Sequence, residues 1–293
     1  MNSSEADSVQ VNATSHPLWY LYPVCEAEPF AFVFYYGVKV LNLVVGTPCN
    51  LLVIWHIASR KSDASTSDIF ILNLAVLDAY FCLMTPIDLV NRLLLGNGRI
   101  WSFQRFAYGV KDSAPLFLVC ICLDRYMAVV HPVVFSRVRD NKLRVLVSVL
   151  VWGLVLSYGL AKSLVYNFLV QFELFTAIIL LAFGVMLFSN VSIIWVLRRS
   201  VAGKEEMHPV KKRAFRMVLI ILAIIVVNYL PPVALMPFAS RYSFIEYHCK
   251  IVLSVYLIMD LSSSIEPLVY ITKMEGAVCC GHQTKGPDAP TTG

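Results

Sequence analysis

Charged side chains are scarce in this chain. Asp, Glu, Lys and Arg make up 15% of its 293 residues, where a soluble domain carries roughly a quarter. A soluble fold of this length could not cover its surface with so few. Also missing are the signatures of catalysis inside a membrane: neither a Gly-x-Ser-Gly nucleophile nor a Gly-x-Gly-Asp motif occurs. The histidines do not cluster. His56, His131, His208, His248 and His282 fall at helix ends or loops and His16 in the first residues, so no metal centre is expected. Internal repeats and low-complexity tracts are absent, which argues against a duplicated architecture. No cleavable leader is expected either, because the first residues are polar and the apolar run beginning near Phe30 is too long for one. The chain is expected not to be an enzyme and to have no nucleic-acid partner.

What is abundant is apolar sequence in long runs. Hydrophobic residues make up 58% of the chain, and mean hydropathy is +0.69. Crossing a bilayer takes about 20 mainly apolar residues per helix. Runs at 31–57, 69–94, 105–130, 143–161, 172–197, 214–239 and 249–271 meet that length. The fourth and fifth are almost continuous, and charge separates them. The stretches SRVRDNKLR (136–144) and RRSVAGKEEMHPVKKRAFR (198–216) are the most basic, and short basic loops stay in the cytoplasm. An even number of crossings must lie between them, with a turn around 166–173. Arg60-Lys61 is placed inside by the same rule. The N-terminus is then outside and the C-terminus inside.

The expected fold is an all-α, seven-helix transmembrane bundle spanning 31–272. An outer tail at 1–30 precedes it and a short inner tail at 273–293 follows. The expected location is the plasma membrane, crossed several times. Asn2-Ser3-Ser4 and Asn12-Ala13-Thr14 fit the glycosylation acceptor pattern in the outer tail, and Cys279-Cys280 in the inner tail suit palmitoylation.

Ionisable residues inside spanning helices are costly and usually face the bundle interior. Asp78, Glu266 and Lys111 stand out, with Asn50 deep in the first run. The simplest reading is that such groups hydrogen-bond across helices; for Lys111 it is pairing with Asp112 or another internal acid such as Asp260. Pro231 and Pro267 each remove a backbone hydrogen bond and should kink the sixth and seventh helices.

The order of motifs resembles the class A, rhodopsin-like G-protein-coupled receptors over nearly the whole chain. Asn50, Leu74-Ala75-Val76-Leu77-Asp78, Trp101, Asp124-Arg125-Tyr126, Trp152, Pro231 and Pro267-Leu268-Val269-Tyr270 carry it. The resemblance implies an activation switch of Asp124, Arg125, Tyr126, Tyr270, Pro267 and Pro231. At rest Asp124 holds Arg125. Outward movement of the sixth helix then lets Arg125 meet a heterotrimeric G protein. It also implies a sodium or shared-proton site of Asp78, Glu266, Asn50 and Ser262. No cofactor is expected beyond that allosteric sodium ion, and Ala114 stands where the family's third helix contributes a serine. Cys25 and Cys249 resemble the second disulfide of nucleotide, chemokine and hydroxycarboxylic-acid receptors.

Several positions depart from the family. No cysteine lies near Trp101, so the usual outer disulfide is missing. Asn190 replaces a tyrosine, Tyr229 stands where tryptophan is common, and Lys211, Lys212 and Arg213 take the place of an acid. A weakly coupling or non-signalling divergent receptor is therefore one alternative, and an ion-coupled membrane transporter another. The outer half is rich in cations, which points to a small anionic ligand: a nucleotide, carboxylate or acidic lipid. Candidate contacts are Lys111, Tyr108, Arg92, Arg105, Lys39, Arg241 and Tyr229. Within the branch it resembles are purinergic, hydroxycarboxylic-acid, oxoeicosanoid and protease-activated receptors.

Overall fold

Backbone polar groups have no water to bond inside a bilayer, so a spanning chain must satisfy them within its own helices. The computed structural model describes residues 29–59, 67–137, 141–165, 167–202, 209–235, 238, 241–243 and 246–281. Seven helices among them are long and apolar enough to cross a membrane. They are α1 (Val33–Ser59), α2 (Asp68–Leu95), α3 (Gly98–Val130), α4 (Asn141–Leu164), α5 (Val170–Val196), α6 (Phe215–Leu235) and α7 (Cys249–Thr272). Each overlaps one apolar run of the sequence. Asn2, Asn12 and Cys25 lie outside the described residues.

Two boundaries differ from the hydropathy reading, both for polar reasons. The α4–α5 turn is tighter than 166–173, since helix resumes at Phe168 and Glu173 lies within it. Helix α3 begins at Gly98 rather than near residue 105. Its first turns hold polar side chains that hydropathy discounts, yet Gln104 and Arg105 are buried. Gln104 accepts from Asn91, and Arg105 Nη2 donates to the Val165 carbonyl at 2.5 Å. Trp101, expected in an outer loop, is buried on the first turns of this helix.

Apolar residues point both ways, as a bilayer demands. Leu77, Phe117, Ile121, Ile179, Met186, Val218 and Ile225 are buried between helices, while Leu150, Leu154, Leu181 and Trp195 stay exposed on the perimeter. Small residues let backbones meet. A Cβ on Gly109 would lie 2.7 Å from the Gly159 Cα, so α3 and α4 touch there. One on Gly46 would lie 2.8 Å from Cys82 Sγ and 2.9 Å from Ser264 Oγ, which is where α1 reaches both α2 and α7.

Irregular turns fall where the helices carry their polar groups. Pro115 has no N–H to continue α3, and the backbone tightens around it: Ala114 N bonds Lys111 O at 3.0 Å and Phe117 N bonds Ala114 O at 3.0 Å. In α6 a wide π-type turn, Ile225–Tyr229, comes just before Pro231 and Pro232. A similar turn, Asn42–Gly46, interrupts α1. Pro267 sits inside α7, and that helix runs on to Gly281, which puts Cys279 and Cys280 on its last turn.

Candidate functional site

Polar contacts run down the bundle in tiers, and in each tier a cation meets an acid from elsewhere in the fold. At the end that loop charge assigns to the outside, the Asp124 end then being the inner one, Lys39 of α1 bonds Asp260 of α7 at 2.9 Å, and both are buried. Its ammonium lies 4.6 Å from the ring centres of both Phe81 and Tyr108, and 5.6 Å from that of Tyr35. Asn42 extends the α1–α7 seam by donating to the Asp260 carbonyl and accepting from Ser264 Oγ. Asn50 closes it, giving its amide to the carbonyls of Gly46 and Ser263, each at 2.9 Å.

Beside Lys39, Arg92 Nε donates to Asp88 at 3.1 Å, and its guanidinium lies 4.8 Å from the rings of both Tyr35 and Trp101. The Tyr35 hydroxyl donates to Asp88 and lies 3.2 Å from that of Tyr108. A small cavity of about 10 Å³, room for one water, opens among Lys39, Phe81, Asp88, Gln104 and Tyr108. Lys162 of α4 pairs with Asp112, which also accepts from Tyr158.

The middle tier is where Lys111 lies. Its ammonium bonds Asp78 Oδ1 at 2.7 Å, both side chains at 0% exposure. Ser263 donates to the same oxygen at 2.8 Å. Tyr229 and Ser262 bond each other at 3.0 Å, and the Lys111 ammonium is 5.9 Å from the Tyr229 ring. Glu266 is buried facing this group, against Asp78 and Ser262.

At the inner end, Asp124 Oδ1 accepts from Arg144 Nε at 2.9 Å, and its Oδ2 accepts from Ser67 at 2.5 Å. Arg125 is the neighbouring cation, with Tyr270 of α7 beside it. The Tyr126 hydroxyl lies 3.3 Å from His131 Nε2. Asn190 donates to the Met186 carbonyl on its own helix, and its Oδ1 is buried without a partner.

The internal acid that holds Lys111 is Asp78, while Asp112 and Asp260 hold Lys162 and Lys39. Asp124, whose charge acts on Arg125, also accepts from Arg144 and Ser67. Of the outer cations, Lys39 and Arg92 each hold an internal carboxylate and Arg105 holds a carbonyl, while Arg241 is exposed. Tyr229 sits with the middle tier, and Tyr108 lines the outer cavity. Cys249 is disulfide-bonded. Cys49, Cys82, Cys120 and Cys122 are free.

A bundle of seven spanning helices with paired charges buried along its axis defines a class of membrane protein before any relative is considered. The sequence pattern of the 7 transmembrane receptor (rhodopsin family) matches residues 49–169. Proteinase-activated receptor 3 of Rattus norvegicus is 29% identical over 44% of this chain and 36% of its own length. Hydroxycarboxylic acid receptor 2 of Rattus norvegicus is 26% identical over 78% of this chain and 72% of its own. C-X-C chemokine receptor type 2 of Mus musculus is 35% identical over 36% and 30%. The chain thus spans about a third of the length of the proteinase-activated and chemokine receptors it matches. Over residues 49–169 the chain is thus similar to the rhodopsin family of seven-transmembrane receptors, and seven of its helices are long and apolar enough to cross a membrane.

Proposed function

We propose that this chain carries an extracellular signal to heterotrimeric G proteins, and that the signal is a small anion read at Arg92. Arg92 differs from the other outer cations in what it has left to offer. Its side chain is 17% exposed, against 2% for Lys39 and 0% for Lys111. A guanidinium has five N–H donors in a planar fork, and among the described residues its bond is from Nε to Asp88. Tyr35 and Trp101 hold the plane of that fork by their rings. A carboxylate or phosphate arriving from outside meets a pre-oriented, partly satisfied guanidinium, and displaces or joins Asp88. That single arrangement carries the anion reading; the similarity to a hydroxycarboxylic acid receptor agrees with it. At the other end Arg125, with Tyr270 beside it, is the group that faces the G protein once α6 moves at its π-type turn and paired prolines.

The test is nucleotide exchange on purified G proteins by the reconstituted chain, across a panel of nucleotides, short carboxylates and fatty acids. One anion class is expected to stimulate exchange. Arg92→Ala should raise the half-maximal concentration at least about tenfold, since hydrogen bonds to a charged group contribute roughly 1.5–3 kcal/mol. Arg125→Ala should abolish exchange while ligand binding persists. If no anion stimulates the parent, or Arg92→Ala responds as the parent does, the anion reading fails.

A further inference from the structure

The middle tier holds two acids around one ammonium. Asp78 Oδ1 takes the Lys111 ammonium and the Ser263 hydroxyl. Glu266, 8% exposed, faces the same ammonium and lies against Asp78 and Ser262. Around one point the bundle therefore gathers two carboxyl groups, the hydroxyls of Ser262 and Ser263, and the phenol of Tyr229. Hard cations are bound by oxygen sets of this kind. Among the described residues, the positive charge that meets them is the ammonium at the end of the Lys111 side chain.

We infer that Asp78 and Glu266 form a cation site whose resident ion is the chain's own Lys111 ammonium, which makes the bundle indifferent to sodium until that lysine is removed. A tethered ammonium at 2.7 Å from Asp78 occupies the position a free ion would need. Its attachment to α3 also means that it cannot leave, so the α2–α3 link does not depend on the salt outside. Pro115 supports the placement: the tightened turn it imposes starts at the Lys111 carbonyl, which fixes the backbone from which the ammonium reaches α2. Taking the ammonium away would leave two buried carboxyl groups with no counter-charge, a condition that only a cation or a proton relieves. This inference does not depend on coupling to G proteins or on any ligand.

The experiment is thermal melting of the purified chain in lipid nanodiscs, in sodium chloride and in choline chloride at equal ionic strength. The parent is expected to melt identically in both. Lys111→Met, which keeps the side-chain length and removes the charge, should melt lower in choline and rise by about 2–4 °C in saturating sodium. Adding Asp78→Asn should erase that response. A parent stabilised by sodium over choline overturns the inference, as does a folded Lys111→Met that melts alike in the two salts. Should Lys111→Met not fold in either salt, the parent decides alone: identical melting supports a self-filled site, and a sodium-specific rise refutes it.

Discussion

Converting both middle-tier acids to amides, Asp78→Asn with Glu266→Gln, is expected to destabilise the bundle by about 3–5 kcal/mol, the magnitude for stranding one partner of a buried ion pair. Lys111 has 0% exposure and no route to water, so its ammonium would stay charged without a counter-charge or would have to give up its proton. Asp78→Asn alone should lose less, because Glu266 stands close enough to act on the ammonium and can take it over. Adding Lys111→Met to the double variant removes the stranded charge and should recover most of the loss, since an apolar replacement of a buried pair is often neutral. Melting curves of the four proteins separate these cases. Equal stability of the parent and the double variant would mean that the pair contributes nothing to holding α2 against α3.

Asp260→Ala is the second large effect, and its size is set by the aromatic rings around Lys39. The pair is as buried as the middle one, so the starting expectation is again about 3–5 kcal/mol. Here the ammonium keeps company after the acid is gone. Phe81 and Tyr108 lie 4.6 Å away, and a desolvated cation–π contact is worth roughly 2 kcal/mol. A net loss of about 1–3 kcal/mol is expected, clearly below that of the double variant in the middle tier. Removing both rings as well, with Phe81→Leu and Tyr108→Leu added to Asp260→Ala, should bring the two tiers level. If Asp260→Ala alone already equals the middle-tier loss, the rings do not stabilise Lys39.

The seven crossings were legible because lipid imposes length and apolarity directly on sequence. Where the reading stopped short, polar residues were being satisfied inside the bundle, as at Gln104 and Arg105 on the first turns of α3. The pairings were harder, and the reason is angular. Adjacent residues on a helix do not face each other. Lys111 therefore looks to α2 while Asp112 looks to Lys162 of α4, and Asp124 reaches Arg144 of α4. Helical spacing signalled part of this: Ser263 and Ser262 are three and four residues before Glu266 and share its face. Arg144 carried no such signal. It stood in a basic stretch that charge alone assigns to a loop, whereas Asn141 already begins α4. The oxygen-rich middle site was visible as Asp78, Glu266 and Ser262; that a lysine fills it was not, because that depends on the contact between α2 and α3.

Every functional assignment above depends on which face of the membrane each end of the bundle meets. By the positive-inside rule, the basic stretches at 136–144 and 198–216 lead us to propose the Arg125 end in the cytoplasm and the Arg92 cage outside. Epitope tags at the two termini, stained on intact and then on permeabilised cells, test this most directly. The N-terminal tag is expected to stain on intact cells and the C-terminal tag only after permeabilisation. Staining of both tags at the same face, or of the C-terminal tag alone on intact cells, would contradict the account.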